Sequence, residues 1–306
     1  MSRAETRSAI YREVIWAARL GLFVNLGLGL AKLAGAAFGH SFAMLSDAIN
    51  SLGDVFASAV VLFALRLAQK PPDAEHPYGH TRAEAIAGSS VALTVLASAL
   101  LVGWEAIRRF GTVDPAPEVW TLVLAGFNAA IKEALYHYKI RVGRRTGSIA
   151  IIANAWDHRA DAFCALTVLL GIAVARWGGP GSQFGDEAAA LVVAVAIAIT
   201  AARLFRESVN ELMDVQAEGE LVRRIEGTAR QVADVLGVET LWVRKSGLEY
   251  FADIHVEVDP GLTVAQGHRI GHRVKDRLLE EYPELRDVLV HLEPYPHAEE
   301  RRGDTD

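Results

Sequence analysis

The chain has 306 residues, 51% of them hydrophobic, with a formal net charge of −6 and a mean hydropathy of +0.20. That length accommodates a membrane portion and a small soluble one, and the charge balance excludes the basic bias expected of a nucleic-acid binder. The single cysteine, Cys164, excludes an internal disulfide framework and a cysteine-rich zinc fold.

Apolar runs recur at roughly residues 14–37, 42–68, 84–108, 118–140, 149–176 and 186–206. Each is long enough to cross a bilayer core with some tilt. The expected architecture is therefore membrane α-helical, with six transmembrane helices over residues 1–210. The charged stretch from Arg3 to Glu13 leads into an apolar run too long for a signal-peptide core, so the first run reads as a retained span. An even number of crossings puts both termini on one side. Arg3, Arg7, Arg12, Arg66, Lys70, Arg82, Lys139, Arg141, Arg144 and Arg145 fall on that side, against mainly Arg108, Arg109 and Arg176 opposite. The positive-inside rule makes it the cytoplasm.

Gly27, Gly29, Gly35 and Gly39 in the first run let neighbouring helices approach closely. Lys32 and the Lys132-Glu133 pair are ionisable groups that either act as relays or, on the plainer reading, snorkel or pair locally, and no function is placed on them.

From about Glu211 the pattern becomes charged and of mixed period. Leu221 to Leu236 reads as an amphipathic helix, Val238 to Lys245 and Tyr250 to Val258 as strands around Ser246-Gly247, Thr263 to Tyr282 as a helix, and Val288 to Leu292 as a strand. This α-β-β-α-β order over residues 211–295 suits a small two-layer α+β domain, and residues 296–306 read as a disordered tail.

Two polar pairs interrupt the apolar runs at helical spacing: Asn50 with Asp54, and Asp157 with Asp161. Each pair shares a helix face. Intramembrane carboxylates usually face a bundle interior or a water-filled path where a cation offsets their cost. The two pairs supply four oxygen-bearing side chains for one divalent ion. The competing reading is that Asn50 and Asp54 hydrogen-bond neighbouring helices. Asp47 either borders the path or is solvated near the outer surface. His158 points about 100° away from Asp157 around the helix and reads as a packing or supporting residue. Cys164 reads as a buried, inert thiol.

Between the second and third runs, Asp73, His76 and His80 sit three and four residues apart, bounded by Pro and Gly. That suits a surface metal site of mixed ligands, or a rigid turn with solvated histidines. In the soluble domain, His255, His268, His291 and Glu293 can meet on one rim of the sheet, although surface histidines are the plainer reading. No nucleophile, phosphate loop or organic-cofactor motif accompanies these groups.

The residues Leu45-Ser46-Asp47-Ala48-Ile49-Asn50-Ser51-Leu52-Gly53-Asp54, His76-Pro77-Tyr78-Gly79-His80-Thr81-Arg82-Ala83-Glu84 and Asn154-Ala155-Trp156-Asp157-His158-Arg159-Ala160-Asp161 resemble the cation diffusion facilitator family. The resemblance runs along nearly the full chain. It implies six spans with a cytoplasmic, metallochaperone-like domain, a homodimer in a bacterial cytoplasmic membrane, and proton-coupled export of divalent metal. It also implies that Asn50, Asp54, Asp157 and Asp161 form the transport site, that Asp73, His76 and His80 form the loop site, and that His255, His268, His291 and Glu293 form the cytoplasmic site. Arg82 and Asp214 match a charge pair that locks the family's dimer at the membrane surface.

Zinc-transporting members usually place histidine in a transport pair, whereas this chain offers Asn50 and Asp157. Oxygen-only sites suit harder ions, so manganese is expected first and iron(II) second, with zinc or cadmium export by the same family fold as the alternative. A non-transporting membrane metal sensor or assembly partner is the reading from another functional class.

Overall fold

The computed structural model describes residues 3–39, 42–109, 119–177 and 185–295. The chain divides into a helical unit, residues 11–209, and a mixed unit of residues 210–306 with residues 1–10.

Among the described residues, six long helices carry the first part of the chain: α1 (Arg3–Gly39), α2 (Phe42–Ala68), α3 (Ala83–Arg109), α4 (Val119–Thr146), α5 (Ile149–Trp177) and α6 (Gly185–Leu212). They follow the six apolar runs but extend past them where charged helix formers continue the pattern. Thus α4 runs through the basic stretch to Thr146 rather than stopping at 140. The α4–α5 turn is forced at Gly147, whose φ of 73° suits glycine. Ser148 then accepts a hydrogen bond from the Ile151 N–H at 3.3 Å, relieving one unpaired donor at the start of α5. Gly143 permits close approach of these helices, since a Cβ there would stand 2.7 Å from Ile152 Cγ1.

The helical interior is built from small residues such as Ala17, Ala85, Ala92, Ala150 and Ala153, all fully buried. Large apolar groups point outward instead: Phe23 is 67% exposed, Phe56 72% and Leu101 68%. An apolar exterior around a small-residue interior suits lipid rather than water. Among the described residues, Ser8–Ala34 and Ala83–Arg108 are long and apolar enough to cross a membrane by length and composition. Helices α4 and α5 carry ionisable groups along their length, Lys132, Glu133 and Lys139 on one and Asp157, His158 and Asp161 on the other.

The mixed unit runs α7 (Gly219–Arg230), β1 (Gly237–Ser246), β2 (Glu249–Val258), α8 (Val264–Glu281) and β3 (Leu285–Pro294). The α-β-β-α-β order matches the alternation in the sequence. Strand order is β1-β2-β3, with β1 and β2 antiparallel and β2 and β3 parallel. The β1–β2 hairpin turns at Gly247, with φ 63°. Helix α7 is shorter than its apolar pattern and ends at Arg230. Beyond it, Arg273 on α8 binds the Ala233 carbonyl at 2.9 Å and the Asp234 carboxylate at 2.5 Å. Asp234 is left-handed, with φ 72°, so the chain breaks from the helix and enters β1.

The period-2 alternation of strands sorts β2 into two faces. Ala252, Ile254, Val256 and Val258 join Ile225, Ile270, Val274 and Leu278 in one core. The intervening Asp253, His255 and Glu257 are only half-buried, leaving the polar set on the opposite face. A capping box between Thr263 and Gln266 fixes the start of α8.

Candidate metal centre

Helices α2, α4 and α5 converge on a buried charge cluster. Lys132 of α4 places Nζ 2.6 Å from Asp54 Oδ2 and 2.8 Å from Asp161 Oδ2. Its side chain is 2% exposed, against 13% for Asp54 and 24% for Asp161. Asp157 lies one turn before Asp161 on α5 and is buried, with Oδ2 lacking a hydrogen-bond partner among the described residues. One ligand atom from each of Asp157, His158 and Asp161 lies within 4.8 Å of the others. The side chains of Asn50 and Asp47 lie outside the described residues, as does that of Cys164.

Lys132 therefore does something other than snorkel or pair locally. It reaches carboxylates 78 and 29 residues away in sequence. Its neighbour Glu133 turns elsewhere, 3.1 Å from His137 Nε2 and 3.9 Å from Arg159 Nε. Arg159 is held by the Tyr136 hydroxyl at 2.7 Å and lies over the Tyr136 ring at 4.3 Å.

A second buried network adjoins the first. Lys139, fully buried, donates to Asn154 Oδ1 and stands 2.9 Å from His158 Nε2. Gly21 of α1 makes room for it, since a Cβ at that position would meet the Lys139 ammonium and its Cε. His158 is thus buried against Lys139 while also offering an atom to the acid cluster, a closer role than its helical angle alone suggested. Asn25 of α1 donates to the Asp54 carbonyl at 3.3 Å and to Ser58 Oγ at 3.0 Å, tying α1 to the helix that carries Asp54. Sequence reasoning missed Asn25, Lys132 and Lys139 as parts of this region. Their common signal is a polar group inside an otherwise apolar helical run.

In the loop before α3, Asp73 organises the two histidines. Its Oδ1 accepts the His76 N–H at 2.7 Å and the Glu75 N–H at 3.1 Å. Asp73 also lies 3.3 Å from His76 Nδ1 and 3.5 Å from His80 Nε2, and the two rings stand 4.4 Å apart. The backbone N–H of His76 holds the Asp73 carboxyl below its ordinary range, with lesser help from the histidine side chains. Gly79, with φ 85°, closes the turn. Two imidazoles and one carboxylate within 4.8 Å form a donor set suited to zinc and similar ions.

On the open face of the sheet, strand register places His255 directly opposite His291. Their rings are 4.8 Å apart, and Glu293 Oε1 lies 3.5 Å from His255 Nδ1 and 3.1 Å from His291 Nε2. These three form a second donor group, exposed at His291 and half-buried at His255 and Glu293. Glu239 adds a carboxylate 3.3 Å from His255 Nδ1. It sits where the β1 register shifts between Val238 and Thr240, a bulge with no obvious sequence signal. His268 does not join this group within the chain, and its ring lies 4.5 Å from that of His272 on α8. Arg82 and Asp214 belong to different units. Within the mixed unit, Asp214 lies 3.7 Å from Arg244 Nε.

Comparison with known proteins covers both units. The family described as the cation efflux transmembrane domain matches residues 18–213. The family described as the cytoplasmic domain of cation efflux proteins matches residues 217–295. The manganese efflux system protein MneP of Bacillus subtilis is 31% identical over 95% of this chain and 99% of its own length. The metal tolerance protein C1 of Arabidopsis thaliana is 32% identical over 90% of this chain and 61% of its own. The magnetosome protein MamB of a Magnetospira species is 31% identical over 92% and 94%, respectively.

Proposed function

The chain belongs to the cation diffusion facilitator family, and on that premise we propose that it is a proton-coupled exporter of divalent metal. Its cargo crosses at Asp54, Asp157 and Asp161, with Asn50, in a six-span membrane domain whose termini face the cytoplasm. The observation that carries this reading is the convergence of carboxylates from α2 and α5 around a single cationic group, Lys132, inside a helical bundle. A site that already gathers two acids from different helices around one positive charge has the chemistry to bind a metal ion.

Transport proceeds by alternating access. The acid cluster opens to the cytoplasm to load metal, then to the far side to release it. Metal and protons compete for the same carboxylates, so an inward proton gradient drives the metal out. The oxygen donors favour manganese first and iron(II) second, and the MneP relative is a manganese efflux protein by name. Zinc or cadmium is the second reading. It is favoured by the His158 atom that lies within reach of Asp157 and Asp161, because imidazole suits zinc.

The loop group Asp73, His76 and His80 and the sheet group His255, His291 and Glu293 bind metal from the cytoplasm and regulate a homodimer. His268 takes part through the dimer, and Arg82 with Asp214 serves as the dimer's charge lock. Regulation of this kind requires metal to bind one conformational state more tightly than the other.

The test is flux of manganese, iron(II), zinc and cadmium through the purified full chain in liposomes, with and without an inward proton gradient. Manganese efflux that slows when the gradient collapses is expected. Zinc flux without manganese flux overturns the metal assignment, and flux indifferent to the gradient overturns antiport. Metal binding with no flux of any ion favours the sensor reading.

A further inference from the structure

We propose that Lys132 is a tethered competitor for the transported ion: its ammonium occupies the position between Asp54 and Asp161 and has to be displaced before metal can bind both. The inference rests on the assignment of these carboxylates to the transport site and adds a residue that no ligand pattern points to.

Three features of the geometry support it. First, the ammonium contacts one oxygen of each carboxylate, at 2.6 and 2.8 Å. A metal held by the same two oxygens would sit about 2.0–2.2 Å from each. The two positions overlap, so ammonium and metal exclude one another by volume as well as by charge.

Second, Lys132 is buried to 2% exposure, whereas Asp54 and Asp161 keep some access at 13% and 24%. The cation therefore reaches the pair from the protein side, along α4, while the carboxylates remain open to an arriving ion. A lysine carries its charge on a flexible four-carbon stem, so it can withdraw without moving the helix.

Third, the neighbouring cationic groups are engaged elsewhere. Lys139 is bound to Asn154 and His158, and Lys32 donates to Ser51 Oγ at 3.0 Å. Arg159 is held against Tyr136. Among the described residues, Lys132 is the cation placed on both carboxylates.

A tethered competitor acts as a charge filter. Its effective concentration at the site is set by the tether and stays high whatever the ions in solution. A monovalent ion offers the two carboxylates no more charge than the ammonium it would replace, and it lacks the tether. A divalent ion offers twice the charge and can displace it. Abundant sodium and potassium are thereby kept out of a site rich in carboxylates. On the release side, the returning ammonium helps to expel the metal.

The test uses the purified full-length chain at fixed pH. Lys132→Met keeps the stem and removes the charge, and Lys132→Arg keeps a charge. If the ammonium occupies the site about nine-tenths of the time, its removal tightens manganese binding about tenfold. Sodium at high concentration should then weaken manganese binding to Lys132→Met while leaving the wild type nearly unaffected, and Lys132→Arg should stay close to wild type in both respects. Unchanged or weaker binding by a folded Lys132→Met overturns the proposal. Where Lys132→Met does not fold, the wild type decides. With 15N-labelled lysine, diamagnetic cadmium should shift the Lys132 ammonium resonance, and a resonance that ignores saturating cadmium overturns the proposal. Failure of the underlying site assignment looks different: Asp161→Ala would then bind metal as tightly as the wild type.

Discussion

The helical cluster and the open face of the sheet both gather carboxylates with partners, but they assemble them in opposite ways. On the sheet, His255 and His291 are neighbours because strand register makes them so, and Glu293 joins them from the same strand as His291. The backbone does the positioning, and the groups stay half-exposed. In the helical unit, Asp54 and Asp161 come from different helices and are joined through a buried ammonium. There the ion pair itself helps to hold the helices in place. The same chemistry is thus a surface attachment in one unit and part of the interior in the other.

The contrast is sharpest in stability. Asp161→Ala removes one of the two carboxylates on the buried Lys132 and leaves Asp54 paired with it, and losing a hydrogen bond to a charged group costs about 1.5–3 kcal/mol. His255→Ala on the sheet should change stability by less than about 0.5 kcal/mol. Thermal melts of both variants in the same detergent test this, and equal losses would erase the distinction.

Next in size is Gly21→Ala. The added methyl meets the end of Lys139, a fully buried side chain whose ammonium is held by Asn154 and His158. Overpacking of this kind costs about 1–3 kcal/mol, and a melt unchanged from wild type would show that Lys139 can move freely.

For the sheet group the expected effect is on binding. If the sheet group holds metal as proposed, His255→Ala should lower its affinity by roughly tenfold or more, as for loss of a residue that tunes or supplies a metal site, while the fold persists. Calorimetry on the full chain with the helical site blocked by Asp161→Asn measures it.

The smallest effect belongs to the loop. Folding holds the Asp73 carboxyl below its ordinary value of 3.8, first through the His76 backbone N–H. A depressed folded pKa means the contribution is complete above the unfolded value and is lost as pH falls through the lower folded one. The Asp73 contribution to the order of the loop should therefore be complete above about pH 5 and decline below about pH 4. The His76 amide shift reports it, and Asp73→Asn should flatten that titration.

Much of this architecture was legible beforehand because it rests on local rules. Apolar runs of bilayer length located the six helices, alternation located β2, and the spacing of Asp157 and Asp161 put both on one face of α5. The α7 boundary was not legible, because Arg273, some forty residues later in sequence, fixes the turn that ends the helix. Lys132 escaped for the same reason. Its sequence neighbour Glu133 suggested a local pair, while its partners lie on two other helices. Glu239 depends on a bulge, and His158 on a lysine from the adjacent helix. Local periodicity finds faces, whereas these contacts depend on which faces meet.

The central claim is that the half-buried carboxylates joined by Lys132 carry the metal. It is tested most directly by manganese flux in proteoliposomes containing wild type, Asp54→Ala or Asp161→Ala, each checked for fold by circular dichroism and gel filtration. Loss of flux to background in both folded variants is the predicted result. Wild-type flux in either folded variant would contradict it.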